Sequence, residues 1–206
     1  MDLVIKKMPV GPFASNSYIL TCPTNNESVI VDAGDEPERI AQAVNGTNVK
    51  FIIITHSHYD HIHCLPQLKQ LIDVPVYCHQ MDADAVPTHV DKFLNDGDTL
   101  NFGQYTIKIL HTPGHTKGSV CLLIETHLIA GDTLFPGGPG KTRSPDAFRE
   151  IIKSIEEKLY SLPDDTIIYS GHGENTTIGE SKKEYQVFCS KPRKADICGD
   201  VLWLTS

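Results

Sequence analysis

The sequence predicts an α/β fold, a single domain of two sheets with helices on the outside. Three patterns predict it. Short β-branched apolar runs are followed by segments of helical periodicity, a central block of short even strands is joined by Gly- and Asn-containing turns, and a strand–helix alternation resumes beyond it. No repeat or low-complexity linker divides the 206 residues, a length that suits one domain over 1–206.

Taken in order, residues 3–5, 17–21 and 28–31 read as strands. Turn chemistry at Pro9-Val10-Gly11-Pro12 and Pro23-Thr24-Asn25-Asn26 separates them, and Asp32-Ala33-Gly34-Asp35 closes the third. A helix is expected over 37–45, with Pro37 early and Ile40, Ala41 and Val44 on one side. The run Phe51-Ile52-Ile53-Ile54 is a buried strand. Residues 62–72 carry Ile62, Leu65, Leu68 and Leu71/Ile72 on one helical face, a strand follows at 75–78, and 80–87 form a short helix. Residues 88–96 read as irregular, and Asp96-Gly97-Asp98 as a turn.

From there the pattern alternates as strands at 98–102, 104–111, 118–125 and 127–131, an antiparallel series of hairpins. The helix at 145–161 has Ser144 as N-cap, Pro145 at its first position and Asp146 at its positive end. Its apolar face is Phe148, Ile151/Ile152, Ile155 and Leu159, and Pro163 stops it. A strand at 166–170 and a short helix at 180–187 complete the reading.

Composition narrows the function classes. With 40% hydrophobic and 21% charged residues the chain buries an ordinary core. A net charge of −8 argues against a nucleic-acid partner, which needs a basic face. No apolar run approaches a membrane span, and the start Met1-Asp2-Leu3-Val4-Ile5-Lys6-Lys7 lacks the apolar core of a signal peptide. The six cysteines form no C-x-x-C pair, which excludes a zinc ribbon or thioredoxin motif and fits a reduced, cytoplasmic chain. Cys64, beside the histidines, reads as a small packing residue rather than a ligand. Composition leaves the oligomeric state open.

The chemistry is concentrated in Thr55-His56-Ser57-His58-Tyr59-Asp60-His61, directly after the buried strand 51–54. In an extended segment His56 and His58 point to the same side, while Asp60 and His61 turn toward a second point if a helix begins there. Imidazole and carboxylate suit zinc and its first-row neighbours, and packing so many ligands together is costly without a cation. Three later residues occupy similar places: His115 in Thr112-Pro113-Gly114-His115-Thr116-Lys117-Gly118-Ser119, Asp132 in Ala130-Gly131-Asp132-Thr133-Leu134-Phe135, and His172 in Ser170-Gly171-His172-Gly173. Each follows a strand and is flanked by glycine, which permits a sharp turn and close backbone approach.

In this order, His56-x-His58-x-Asp60-His61, His115, Asp132 and His172 resemble the metallo-β-lactamase superfamily over essentially the whole chain. The resemblance implies a four-layer αββα sandwich of two similar halves with two divalent ions at one sheet edge. It places His56, His58 and His115 on the first ion, Asp60, His61 and His172 on the second, and Asp132 as the bridge. The donor set has the mixed N/O chemistry of zinc, and iron or manganese is equally compatible.

Within the superfamily, Gly131-Asp132-Thr133-Leu134-Phe135 followed by Gly138-Pro139-Gly140-Lys141 is similar to the glyoxalase II (hydroxyacylglutathione hydrolase) branch. Lys141 falls where that branch has a basic residue for glutathione, whereas Asp132 in place of Cys speaks against an antibiotic-degrading lactamase. Three departures stand beside this likeness. Thr142-Arg143-Ser144 replaces the branch's aromatic-rich segment, His63-Cys64 replaces common glycines, and only 34 residues follow His172, too few for the branch's C-terminal helical domain. Lys182-Lys183-Glu184-Tyr185 reads as surface charge rather than a substitute contact.

The expected activity is hydrolysis of a small thioester or ester, S-2-hydroxyacylglutathione giving glutathione and a 2-hydroxy acid. Two ions about 3.5–4 Å apart would share a water, lower its pKa toward about 7 and supply a bridging hydroxide for attack on the carbonyl. Asp60 would bind metal and orient that nucleophile, Lys141 and Arg143 would recognise a substrate carboxylate, and Asp32 is a candidate partner for one of the ligand histidines. His79, His89, His111 and His127 read as structural or surface. The alternatives on the same fold are a one-iron persulfide dioxygenase and a lactonase or phosphotriesterase. An RNase Z-like nuclease fits the charge poorly. A non-enzyme with a structural metal site is the remaining class, and seven ligands around two ions leave more open positions than a closed four-ligand structural site does.

Overall fold

Residues 2–192 and 196–206 are described by the computed structural model. Of the domain expected over 1–206, residues 1 and 193–195 therefore lie outside the described residues.

Strand periodicity accounts for the layers. The first sheet runs β1 (Val4–Val10), β2 (Ser15–Thr21), β3 (Glu27–Val31), β4 (Asn48–Ile53), β5 (Val76–His79) and β6 (Lys92–Leu94), adjacent in that order. Its first three strands pair antiparallel and its last four parallel. Alternate residues separate onto two faces. Tyr18, Leu20, Val29, Val31, Phe51 and Ile53 enter a cluster shared with the second sheet. Ile19, Ile30, Ile52 and Ile54 face the opposite way and pack with helical Ile40, Leu65 and Leu68.

The second sheet has the order β14 (Thr176–Thr177), β13 (Ile167–Ser170), β10 (His127–Gly131), β9 (Val120–Ile124), β8 (Tyr105–His111) and β7 (Thr99–Phe102). Only β10 and β13 pair parallel; the 99–131 segment is the antiparallel series expected. Ile107, Ile109, Leu122 and Ile129 meet the first sheet, while Cys121, Leu128 and Ala130 turn outward beneath Phe148, Ile151, Ile155 and Phe188. The result is helix–sheet–sheet–helix, the four-layer α/β sandwich anticipated. A small hairpin, β11 (Leu134–Phe135) with β12 (Gly138–Pro139), stands apart from both sheets. Among the described residues no helix is long and apolar enough to cross a membrane.

The helices are α1 (Pro37–Ala43), α2 (Tyr59–Ile62), α3 (Leu65–Leu71), α4 (Pro145–Ser154) and α5 (Ile178–Cys189). Several boundaries differ from the sequence reading. The helix expected over 62–72 is two pieces broken at His63–Cys64, because Pro66 suits only the first turn of a new helix. The helix expected to 161 changes to a π-helical turn at Ile155–Leu159, and Thr177, whose side chain accepts from Glu180 N–H, starts α5 before the expected 180. Residues 80–85 form a 3₁₀ segment, and the supposedly irregular 88–96 contains β6. β1 runs through Pro9 to Val10, which an edge strand tolerates.

Candidate metal centre

The seven ligand candidates all lie just past strand ends, at one edge of the sandwich. β4 delivers buried His56, and His58 stands in extended conformation as the residue before α2. The single turn of α2 then carries Asp60 and His61, with the latter fully buried. From the second sheet come His115 in the β8–β9 connection, Asp132 after β10 and His172 after β13. The two sets are stitched together by Asn16, whose N–H and side-chain amide donate to Gly171 O and Ser170 O at 2.7 and 2.9 Å.

Two triads result, His56/His58/His115 and Asp60/His61/His172, each with its ligand atoms within 4.8 Å of one another. Asp132 stands between them. Its Oδ2 lies 3.9 Å from His56 Nε2, 3.4 Å from His115 Nε2 and 3.8 Å from His172 Nε2. Its Oδ1 is 3.4 Å from His61 Nε2. Within the second triad His172 Nε2 is 3.0 Å from Asp60 Oδ2 and 3.3 Å from His61 Nε2. All seven expected ligands are thus brought together.

Four of the five histidines have their other nitrogen engaged. Nδ1 of His115 contacts Lys141 O at 2.8 Å, and that of His172 contacts Phe13 O at 3.1 Å. His61 Nδ1 faces Asp32 Oδ2 at 2.9 Å. His56 Nδ1 meets Thr55 Oγ1 at 3.1 Å, and that hydroxyl in turn donates to Asp32 Oδ2 at 2.7 Å. Carbonyl and carboxylate oxygens only accept, so these Nδ1 atoms carry protons and Nε2 is the nitrogen turned toward the cluster. Asp32 therefore occupies the orienting position expected of it, with a left-handed φ of 59° that turns its carboxylate beneath Thr55.

Protonation follows from burial and neighbours. Burial, and then the surrounding imidazoles, lower His56 well below the ordinary value and lower His58; burial likewise lowers His115. Burial opposes ionisation of Asp132, but His56, His61 and His115 hold it well below the usual carboxylate range. His172 holds Asp60 low by hydrogen bonding and is itself raised by that bond. Burial would lower His61, yet the adjacent carboxylates of Asp132 and Asp32 carry it up to about 10. Neutral imidazoles and ionised carboxylates are the forms that bind metals, so an ion entering the cluster must displace the proton that His61 holds.

The donor set fits such ions on its own evidence. His56 Nε2, His115 Nε2 and Asp132 Oδ1 are buried polar atoms without hydrogen-bond partners. Such orphans are rare unless an ion or water answers them. Glycine supplies the necessary room: a Cβ at Gly171 would collide with Asp132 Oδ1, and Gly131, at φ 47°, packs on Thr55. The cluster is consistent with a dinuclear metal site, with Asp132 between the two triads.

The two expected substrate cations part company. Lys141 lines a cavity of about 270 Å³ beside Asp132 and His172, whereas Arg143 lines an open groove of about 940 Å³ beside His58. His115 borders both. Arg143 Nη2 is 3.5 Å from His58 Nε2. Cys64 is buried in the helix-side core, its thiol pushed up to about 12 by burial, in keeping with packing.

Asp82 was missed by the sequence reading. Its buried carboxylate accepts from Ser57 N–H, Gly118 N–H and Thr116 Oγ1, each at 2.8 Å, and so ties the His56–His58 segment to the loop of His115. A lone Asp in a 3₁₀ turn carries no local signal of that role.

The chain is 34% identical over 210 residues to hydroxyacylglutathione hydrolase GloC of Haemophilus influenzae, covering 91% of this chain and 99% of the relative. Among solved structures it resembles the BLEG-1 B3 metallo-beta-lactamase at 29% identity and a TM-score of 0.80, over 87% of this chain and 97% of that one. It also resembles TTHA1623 in a di-iron-bound form, at 29% identity and a TM-score of 0.75, over 86% and 97% of the two chains. Residues 10–172, a span that ends on the last of the seven ligands, match the family model, and the chain belongs to the metallo-beta-lactamase superfamily.

Proposed function

We propose that this metallo-hydrolase cleaves a small thioester or ester, with S-2-hydroxyacylglutathione as the model substrate. The observation that carries the reading is the set of buried, unpartnered donors on His56, His115 and Asp132, centred between two ligand triads and bordered by open hollows. Bound divalent ions, zinc foremost with iron or manganese compatible, supply Lewis acidity that polarises a carbonyl and acidifies water.

The chain's own residues do the rest. Asp60, kept ionised by His172 and 24% exposed, can accept a hydrogen bond from an attacking water. Asp32 and the carbonyls of Lys141 and Phe13 hold Nδ1 of their imidazoles, so that Nε2 is the nitrogen offered to an ion. Arg143 and Lys141, on either side of His115, provide cations for a substrate carboxylate; the guanidinium can engage it bidentately and the ammonium as a point charge. The 34% identity to a hydroxyacylglutathione hydrolase supports the choice of thioester.

The test is metal content and S-D-lactoylglutathione hydrolysis for wild type beside Asp132→Ala. Near two metals per chain with turnover, both lost in the variant, is the expected result. Two metals without turnover would move the search to other esters, lactones, phosphoesters and β-lactams, and one iron per chain would refute the dinuclear hydrolase.

A further inference from the structure

Lys141 does not stand free at its cavity. Its Nζ is 3.2 Å from Asp200 Oδ2, with the two side chains 65% and 71% exposed. Both residues line the hollow that reaches Asp132 and His172.

The C-terminal tail holds Asp200 there from both sides. Before it, Gly199 and Thr142 exchange two backbone hydrogen bonds, at 3.0 and 3.1 Å. After it, Trp203 N–H donates to Gly137 O at 2.7 Å, while its fully buried indole packs 4.9 Å from the rings of both Tyr185 and Phe188. Val201 O sits so close to Gly138 that a Cβ there would strike it. A carboxylate anchored on both flanks stays near its cation at lower entropic cost than one on a free tail.

We propose that Asp200 is a specificity-determining residue, an internal anion that occupies Lys141 and selects against a carboxylate at this end of the site. The inference rests on the thioesterase reading and narrows its use of Lys141, from binding a substrate carboxylate to selecting against one. A substrate carboxylate arriving at Lys141 must displace Asp200 and be repelled by it; a neutral group meets neither penalty. On the other side of His115, Arg143 has no carboxylate partner among the described contacts; Lys117, Arg149 and Lys153 line the same groove against Asp82, Asp146 and Glu150, with Arg149 paired to Asp146. An anionic leaving group is therefore steered to the Arg143 groove, and the Lys141 cavity takes the less charged part of the substrate.

The test measures dissociation constants of two thiols, glutathione and its diethyl ester, for the metal-loaded protein by calorimetry. Wild type is compared with Asp200→Asn and with Asp200→Asn/Lys141→Gln, and wild-type turnover of S-D-lactoylglutathione is run in parallel. Because the pair is exposed and screened, Asp200→Asn should tighten glutathione by about two- to five-fold. The diethyl ester should not respond, and the gain should vanish without Lys141. An unchanged glutathione constant, an equal response of the ester, a gain that survives loss of Lys141, or no binding of either thiol to Asp200→Asn would each overturn the proposal. Absence of wild-type turnover together with the charge-selective shift would reject the thioesterase and keep the selector.

Discussion

Replacing Asp32 by Asn should disable the second triad without disturbing the fold, through a proton on the wrong nitrogen. Asp32 Oδ1 accepts from Thr55 N–H at 2.7 Å, and Oδ2 accepts from Thr55 Oγ1 at 2.7 Å while facing His61 Nδ1 at 2.9 Å. An asparagine can keep its oxygen on Thr55 N–H, which turns its amide N–H₂ toward His61. His61 Nδ1 must then accept, which moves the imidazole proton to Nε2, the atom aimed at Asp132, Asp60 and His172. Restoring the metal-binding tautomer would set donor against donor in a buried place, a cost of about 1–3 kcal/mol. That corresponds to roughly 10- to 100-fold weaker binding of one ion. Chelator competition should show one ion retained near wild-type affinity and the other weakened by this factor. Asp32→Ala separates tautomer from packing, since alanine presents no donor to His61. Two ions bound at wild-type affinity by the Asn variant, or Asn binding the second ion better than Ala, would refute the tautomer argument.

Two further outcomes follow from the same contacts. Asp82→Ala strands three donors on Ser57, Gly118 and Thr116 and should cost about 2–4 kcal/mol in denaturant unfolding, with metal affinity falling about ten-fold as the two loops part; unchanged affinity would show that these loops hold their ligands without it. In metal-stripped protein, NMR should find His61 titrating near 10 while His56 stays neutral throughout neutral pH. A folded-state pKa above the ordinary 6.5 means stability fully present below 6.5 and lost as pH rises through about 10, so the metal-free protein should weaken over that window. Flat stability there would contradict the His61–carboxylate pairing.

The candidate ligands stand out in the sequence because their chemistry is dense and locally placed. Four of the seven fall within His56–His61, and each later one follows a β-branched run and touches a glycine that the geometry requires, as Gly171 beside Asp132 shows. The layers were legible from period-two alternation in β2, β3 and β4, whose odd and even residues enter different cores. What escaped was set by distant contacts. Asp82 acts on residues 25 to 36 positions away, and the pairing of Lys141 with Asp200 depends on where Trp203 anchors the tail. β11, β12 and β14 are two residues each, too short for any periodicity to register. The Lys141–Arg143 pair, adjacent but for one residue, looked like a single anion site; His115 between their hollows makes it two.

The allocation of ligands explains why the site needs both sheets. Each triad takes two residues from the β4–α2 segment and one from the second sheet, His115 in the first and His172 in the second, and Asp132 of the second sheet faces both. Neither half of the sandwich holds a complete site. Ions bound there would therefore add to the contacts that join the sheets at this edge, among them Asn16 with Ser170 and Gly171 and Val120 N–H with Thr55 O. Binding energy at such a junction is also packing energy between the layers. Reactivity and cohesion at this edge thus draw on the same seven side chains, and Asp32 and Asp82, through their hydrogen bonds to the segments that carry them, bear on both.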